Sequence, residues 1–244
     1  MTQNRLRLRD LFDHYKKLPH QLAAIQELEE LMLSSNATCL DRKNNWYETW
    51  AHAVSVKPQK WVIARRQISQ ISGHNEALFD DAFMQDLNSL AYATGMLSVT
   101  QRRMLVAQTC HETGGYRWMK ELGGPDYFAR MYNNRSDLGN GPNDGPLYFG
   151  AGAIQLTGKF NYQRFSNWLK NQGMSDDRVM AEGANYVADR YPFLSAVCWI
   201  QENKWAAVCD KGDIYQSTRV LNGGYNGIDD RIKYYELACK YITE

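Results

Sequence analysis

Apolar residues recur at helical spacing through most of this chain of 244 residues, and strand-like alternation is scarce. Near the N-terminus, one predicted helical face carries five apolar side chains: Leu8, Leu11, Phe12, Tyr15 and Leu18. The pattern predicts a mainly α protein, with a small helical N-terminal unit over residues 1–75 and a larger domain over residues 76–244. Trp46, Trp50 and Trp61 either form the core of the small unit or offer stacking platforms for wall sugars.

A segment rich in glycine, asparagine and proline interrupts the helical pattern at residues 122–152. It shows little periodicity. Structureless loops of this length are uncommon in compact domains and often carry function. We therefore expect a long irregular loop close to the functional site.

Charge and cysteine usage exclude several classes of protein. The net charge of +1 is too small to create the strong positive field that attracts nucleic acid. Five cysteines without a CxxC spacing indicate neither a disulfide framework nor a zinc site. The N-terminus lacks the apolar core of a signal peptide, and no apolar run approaches the roughly 18 residues of a membrane span. We expect a monomer made in the cytoplasm, with no metal, cofactor, nucleic acid or stable membrane insertion.

Glu112 and Glu121 lie on either side of the glycine pair Gly114 and Gly115. On a continuous helix, nine residues would separate the two carboxylates by about 13 Å and about half a turn. Glycine tolerates the left-handed backbone that ends helices. The helix can therefore stop after Glu112, and the chain can fold back to bring Glu121 across a cleft.

Paired carboxyls are the usual catalytic groups for cutting glycosidic bonds. The general acid must hold a proton near neutral pH, and Glu112 lies in a last helical turn, where the dipole disfavours an anion. Glu121 begins a polar loop, which suits an ionised base. The spacing alone is also compatible with coincidence. The stretch HETGG is not a zinc motif, since Gly115 stands at the second histidine position of HExxH.

A second cluster, YFGAGAIQLTGKFNY, spans residues 148–162. Gln155 and Thr157 alternate with apolar neighbours, which predicts a short extended segment with one polar face. Side chains here suit sugar hydroxyls or the positioning of a water, although a polar loop that satisfies its own backbone explains them equally well. The candidates are Tyr148, Gln155, Thr157, Asn161 and Tyr162.

A third cluster, STRVLNGGYNGIDDRIKYY, spans residues 217–235. Asn222 followed by two glycines predicts a helix end and a turn. Asn222 is a candidate for contact with substrate amides, and Arg231 for an ion pair that holds a carboxylate in place. A helix cap plus surface charges is the alternative interpretation.

The three clusters together resemble, in the same order, the motifs of glycoside hydrolase family 19, the chitinase family that also includes bacteriophage endolysins. The resemblance covers about residues 77–244. It implies a lysozyme-like, bilobal α-helical catalytic domain with long irregular loops and a cleft between the lobes. The N-terminal region 1–75 lies outside it, and a wall- or partner-binding role is one interpretation of that region.

The resemblance implies that Glu112 is the general acid and Glu121 the general base of an inverting hydrolysis. It also implies that Thr157 helps to hold the attacking water. Arg231 would steady Glu112. From its position beside the HETGG glycines, His111 is expected to be a packed residue or to support the site residues, rather than a metal ligand. Two departures stand out. Ala151 replaces a frequent arginine, and Asn226 stands where plant members carry a glutamate that completes a glutamate–arginine–glutamate network.

The nine-residue spacing is similar to that of the endolysin branch. It implies a glycosidase that cuts β-1,4 bonds of bacterial peptidoglycan, acts on the cell wall after release and leads to host lysis. Two alternatives stay open at this point. One is a chitinase that acts on chitin, the β-1,4 polymer of N-acetylglucosamine, and the other is a non-catalytic wall-binding virion protein.

Overall fold

The computed structural model describes residues 62–243. Predictions for the first block of helices and for Trp46, Trp50 and Trp61 lie outside the described residues. From Ile63 to Asn171 and from Ser175 onward, the chain forms one compact unit.

Ten α-helices follow one another along residues 62–243, which confirms the mainly α prediction. They are α1 (Arg65–Ser72), α2 (Asp81–Ala93), α3 (Val99–Thr113), α4 (Pro125–Tyr132), α5 (Lys159–Asn171), α6 (Arg178–Arg190), α7 (Leu194–Glu202), α8 (Trp205–Cys209), α9 (Ile214–Asn222) and α10 (Ile228–Tyr241). Two short 3₁₀ turns, Glu76–Leu78 and Ser136–Leu138, complete the regular structure there. Within these residues the only β pairing consists of isolated bridges that join Ala151 to Lys120 and to Leu156.

Helix α3 is the central element of this unit. An unbroken buried run from Met104 to Cys110 lies in its middle. Ser98 caps its N-terminus, since the Ser98 hydroxyl accepts from the Gln101 amide at 3.1 Å and the Gln101 side chain accepts from the Ser98 amide at 3.0 Å. Helix α10 packs along α3, and α1 packs on α10. The C-terminal end of α3 is thereby held on a rigid support.

The segment 122–152 is more ordered than its composition predicts. It contains helix α4, which Gly124 and Pro125 initiate, so the prediction of one uninterrupted irregular loop was wrong. Proline suits the first helical position because its fixed φ is already helical and the amide it lacks would have no helical partner. The composition masked a helix of only two turns.

One glycine fastens the irregular part of this segment to helix α6. The helix is interrupted at Gly183, where φ is 60° and ψ is −133°. The next amide, that of Ala184, donates to the Leu147 carbonyl at 2.8 Å. A Cβ at position 183 would lie 2.0 Å from that carbonyl oxygen, so only glycine allows the approach.

Candidate active site

Helix α3 stops one residue after Glu112. Gly114 and Gly115 both take left-handed backbone, with φ of 58° and 72°. The Gly115 amide donates to the Cys110 carbonyl at 2.7 Å, and the Trp118 amide donates to the Thr113 carbonyl at 2.9 Å. These bonds satisfy carbonyls that the helix end leaves without partners. The chain therefore turns back immediately after the last helical turn, which carries Glu112.

Backbone pairing brings Glu121 to the glycine-rich segment. The Glu121 amide donates to the Gly150 carbonyl at 2.8 Å, and the Gly152 amide donates to the Met119 carbonyl at 2.7 Å. As a result, Glu112 and Glu121 line the same cleft, which has a volume of about 470 Å³. The other residues lining it are His111, Tyr132, Leu138, Gly150, Ile154, Gln155, Leu156, Thr157, Asn161, Trp199, Leu221 and Asn222.

A buried arginine holds Glu112. Arg231 is 1% exposed, and its Nη2 donates to Glu112 Oε1 at 2.5 Å. Its Nη1 donates to Gln108 Oε1 at 2.5 Å, and its Nε donates to the Asn226 carbonyl at 3.1 Å. Gln108 in turn donates to the Thr218 hydroxyl at 2.8 Å. Gln108 thus accepts a hydrogen bond from the Arg231 guanidinium through its side chain, whereas Asn226 accepts one through its backbone carbonyl.

Glu121 is held without an ion pair among the described residues. The Tyr132 hydroxyl lies 3.0 and 2.9 Å from its two carboxylate oxygens, and the Gly150 amide donates to Oε2 at 3.2 Å. Burial, and then the hydrogen bond and charge of Glu121, raise the pKa of the Tyr132 phenol above its usual range. Tyr132 therefore stays protonated and remains a donor to the carboxylate across the working pH range.

The segment from Gly152 to Leu156 is a tight turn, so the prediction of an extended segment was wrong. Ala151 and Leu156 exchange backbone hydrogen bonds of 3.2 and 2.7 Å across it. Gln155 takes left-handed backbone with φ of 54°. Polar and apolar residues alternate in the sequence here, which imitates the two-residue period of a strand although the backbone turns.

Three of the predicted polar residues of this segment line the cleft. Thr157 donates its hydroxyl to the Gln155 carbonyl at 2.8 Å, and Asn161 donates to the Thr157 carbonyl at 2.8 Å. The Gln155 side chain donates to the Gly152 carbonyl at 3.1 Å. All three side chains therefore use a hydrogen-bond donor within the protein. Their oxygens can still accept a hydrogen bond from a bound sugar or water.

Tyr148 and Tyr162 do not line the cleft. They are 4% and 0% exposed, and their hydroxyls donate to the Met180 and Phe149 carbonyls at 2.9 and 2.7 Å. Both side chains therefore belong to the packed interior. The sequence indicated them as candidates for sugar contacts because they flank the segment that lines the cleft.

Asn222 and His111 complete the predicted set. Asn222 ends helix α9, with Gly223 in left-handed backbone after it, and it lines the cleft. His111 Nδ1 lies 2.7 Å from Asp230 Oδ2. A Cβ at Gly227 would lie 2.1 Å from His111 Cε1, so this glycine makes room for the imidazole at the cleft wall.

Several residues of the site do not stand out in the sequence. Tyr132 belongs to the helix that composition masked, and Trp199 lies far from the three motifs. Gln108 was detectable, because it lies four residues before Glu112 and side chains at that spacing share a helix face.

Among residues 62–243, no group of histidine, cysteine, aspartate or glutamate side chains is suited to hold a metal ion. None of the helices in that range combines the length and the apolar character needed to cross a bilayer.

Comparison with known proteins extends this picture. No family model matches the chain. A glycosyl hydrolase family 19 domain-containing protein of Haemophilus influenzae is 32% identical over 181 residues, which cover 62% of this chain and 84% of that protein. Chitinase C from Streptomyces griseus HUT6037 has 18% identity and a TM-score of 0.54, over 75% of this chain and 77% of that one.

Two further solved structures share the fold. A mutant of chitinase C has 16% identity and a TM-score of 0.51, over 74% of this chain and 92% of that one. A bacterial family 19 chitinase has 17% identity and a TM-score of 0.50, over 73% and 95%. The structural likenesses establish the lysozyme-like fold, and the sequence relative establishes the family. The chain belongs to glycosyl hydrolase family 19 and is a glycoside hydrolase.

Proposed function

We propose that this glycoside hydrolase is an endolysin-type enzyme that cuts β-1,4 bonds of bacterial peptidoglycan by an inverting acid–base mechanism. One observation carries the catalytic part of the proposal. Glu112 and Glu121 line the same cleft, and one is held by a buried cation while the other is held by neutral donors. Two carboxyls in different surroundings can take different roles in one reaction.

Glu112 acts as the general acid. It gives its proton to the oxygen of the leaving sugar, and negative charge then develops on its carboxylate. Arg231 Nη2, which lies 2.5 Å from Glu112 Oε1, stabilises that charge. Because the guanidinium is fixed by Gln108 and by the Asn226 carbonyl, it needs little reorganisation during the reaction.

Glu121 acts as the general base. The Tyr132 hydroxyl and the Gly150 amide fix the plane of its carboxylate. The Thr157 hydroxyl donates its hydrogen bond to the Gln155 carbonyl, so the Thr157 oxygen is free to accept a hydrogen bond from a water. A water held between Thr157 and Glu121 loses its proton to Glu121 as it attacks the anomeric carbon opposite the leaving sugar, which inverts the configuration.

The short connection between the two glutamates favours peptidoglycan as the substrate. Residues 114–120 form a compact turn without inserted chain, as expected for the endolysin branch. In this proposal the enzyme is made in the host cytoplasm, reaches the wall after release and contributes to lysis.

Digestion of purified peptidoglycan tests the proposal. Wild-type enzyme should release soluble fragments, and mass spectrometry should identify which sugar carries the new reducing end. Glu112→Gln should release none, whereas Glu182→Gln, at an exposed ion pair with Arg178 on α6, should match wild type. Equal release by Glu112→Gln and wild type would contradict the assignment of the acid.

A chitinase is the second candidate, because the structural neighbours are named chitinases. Chitin and peptidoglycan share N-acetylated β-1,4-linked sugars, so the same carboxyl pair serves both. Hydrolysis of chitin oligomers together with no release from peptidoglycan would assign chitin as the substrate.

A further inference from the structure

Two tyrosine rings are exposed beside the turn that follows helix α9. Tyr215 is 53% exposed and Tyr225 is 51% exposed. Their ring centroids lie 6.2 Å apart at an interplanar angle of 67°. The rings therefore support each other edge to face while each leaves a large apolar area in water.

Both rings lie close to Asn222, which lines the cleft. Tyr215 precedes Asn222 by seven residues on α9, so it lies on the same helix face about 10 Å away along the axis. Tyr225 follows Asn222 by three residues, which places their Cα atoms within about 11 Å of each other. The tyrosine pair thus extends the surface around Asn222.

The turn after Asn222 begins with bare backbone, while the exposed Arg219 side chain lies between Tyr215 and Asn222 on the face of α9. A Cβ added at Gly223 would meet nothing within 4 Å, and one added at Gly224 would meet only Asn222 Oδ1 at 4.0 Å. No side chain on this turn obstructs an extended ligand. A polymer that leaves the cleft at Asn222 can cross the turn and reach both rings.

We propose that Tyr215 and Tyr225 form an outer sugar-binding subsite that holds the continuation of the glycan strand beyond Asn222. The apolar face of a pyranose packs on an aromatic ring, and the phenol hydroxyls offer partners for sugar hydroxyls at the rim. The proposal rests on the proposed function for its class of ligand, an N-acetylated β-1,4-linked glycan. It predicts that binding improves when the strand is long enough to reach the pair.

The test compares two ligand lengths in the full chain carrying Glu112→Gln, which prevents hydrolysis during the titration. The probes are a tetrasaccharide and an octasaccharide of β-1,4-linked N-acetylglucosamine, followed by calorimetry. Adding Tyr215→Ala and Tyr225→Ala should weaken octasaccharide binding about fivefold to tenfold and leave tetrasaccharide binding within about twofold. Tyr225→Ala alone should give an intermediate loss.

Two control variants separate stacking from other effects. Tyr215→Phe with Tyr225→Phe keeps the rings and should keep octasaccharide affinity within about threefold, since only the hydroxyl contacts are lost. Leu97→Ala truncates a side chain of similar exposure, 46%, that does not line the cleft, and should change neither affinity. Because both tyrosines are exposed, their truncation removes no buried contact from the core.

Three results would overturn the subsite. The first is an equal loss of affinity for both ligands in the double alanine variant, and the second is no loss of affinity for either ligand. The third is a loss of self-association in sedimentation while octasaccharide binding is unchanged, which would indicate that a second copy of the chain occupies the tyrosine pair. The titration does not require catalysis. Failure of the wild-type enzyme to cleave either polymer would therefore count against the proposed function, while the length dependence of binding would still decide the subsite.

Discussion

Glu112 and Glu121 face one cleft but are supported by two different kinds of structure. Glu112 lies in the last turn of helix α3, whose middle is an unbroken buried run, and contacts an arginine whose other donors reach Gln108 and the Asn226 carbonyl. Glu121 lies on an irregular segment and is held by Tyr132 and by the Gly150 amide. The first arrangement joins helices α3, α9 and α10, whereas the second joins two loops and a short helix.

The two kinds of support should differ in how much they contribute to the free energy of unfolding and how much to activity. Removing Arg231 leaves the Gln108 side-chain oxygen, the Asn226 carbonyl and Glu112 without their shared donor, which costs folding free energy as well as activity. Removing one neutral donor from a half-exposed carboxylate costs mainly orientation. We therefore expect both the fold and the reaction to depend on the Glu112 arm, meaning Glu112 with Arg231 and Gln108, and mainly the reaction to depend on the Glu121 arm, meaning Glu121 with Tyr132 and Gly150.

Glu112→Gln should show the largest effect on rate. The amide cannot donate the proton to the leaving oxygen, so kcat on peptidoglycan or chitin oligomers should fall about 10³-fold. Steady-state kinetics with reducing-end detection measures the loss. A fall of less than about tenfold would show that another group supplies the proton.

Arg231→Met should couple a large loss of stability to a loss of activity. It leaves Glu112 without its cation and Gln108 without its donor, and the free energy of unfolding should drop by about 3 kcal/mol. Urea denaturation measures the drop. Lys233→Met on the same helix, α10, is the control. Unchanged stability in Arg231→Met would refute the distinction between the two arms.

Tyr132→Phe should lower activity with little loss of stability. The variant keeps the ring but removes the hydroxyl shared by both Glu121 oxygens, so kcat should fall about tenfold while the free energy of unfolding changes by about 1 kcal/mol or less. Parallel kinetics and denaturation measure both. A stability loss as large as that of Arg231→Met would show that the Glu121 arm also supports the fold.

Alkaline pH should produce the smallest and broadest effect. Burial raises the pKa of the Cys110 thiol and the Tyr116 phenol behind Glu112, and of the Tyr132 phenol beside Glu121. The unfolded chain releases these protons near the ordinary values of 9.0 and 10.0, while the folded chain retains them. Stability should therefore be complete below about pH 8 and decline as pH rises past 9.

Thermal unfolding at pH 7, 9 and 10 measures this decline. Cys110→Ala should make the decline shallower between pH 8 and 10, since one titrating group that ionises only after unfolding is removed. A melting temperature that stays constant from pH 7 to 10 would contradict the prediction.

The sequence predicted the helical class, the end of α3 and the meeting of Glu112 and Glu121, because periodicity and paired glycines act locally. It could not predict Tyr132 or the turn at Gln155. The helix that carries Tyr132 is short and lies in a segment of loop-like composition, and the alternation of polar and apolar residues around the four-residue turn at Gln155 imitates a strand. The exclusion of Tyr148 and Tyr162 from the cleft depends on tertiary packing, which no local pattern reports.

The bond between the Ala184 amide and the Leu147 carbonyl has a consequence for engineering the enzyme. It fixes the path of the segment before Tyr148 through main-chain atoms and a missing side chain at Gly183, and the Asp144 carboxylate adds a second anchor by accepting from the Gly141 amide and from Lys159. Residues 142 and 143, which are exposed, are therefore a suitable place for grafting loops from related enzymes, provided that Gly183 and Asp144 are kept. A transplant that retains Gly183 keeps its anchor, whereas one that replaces it has to create a new one.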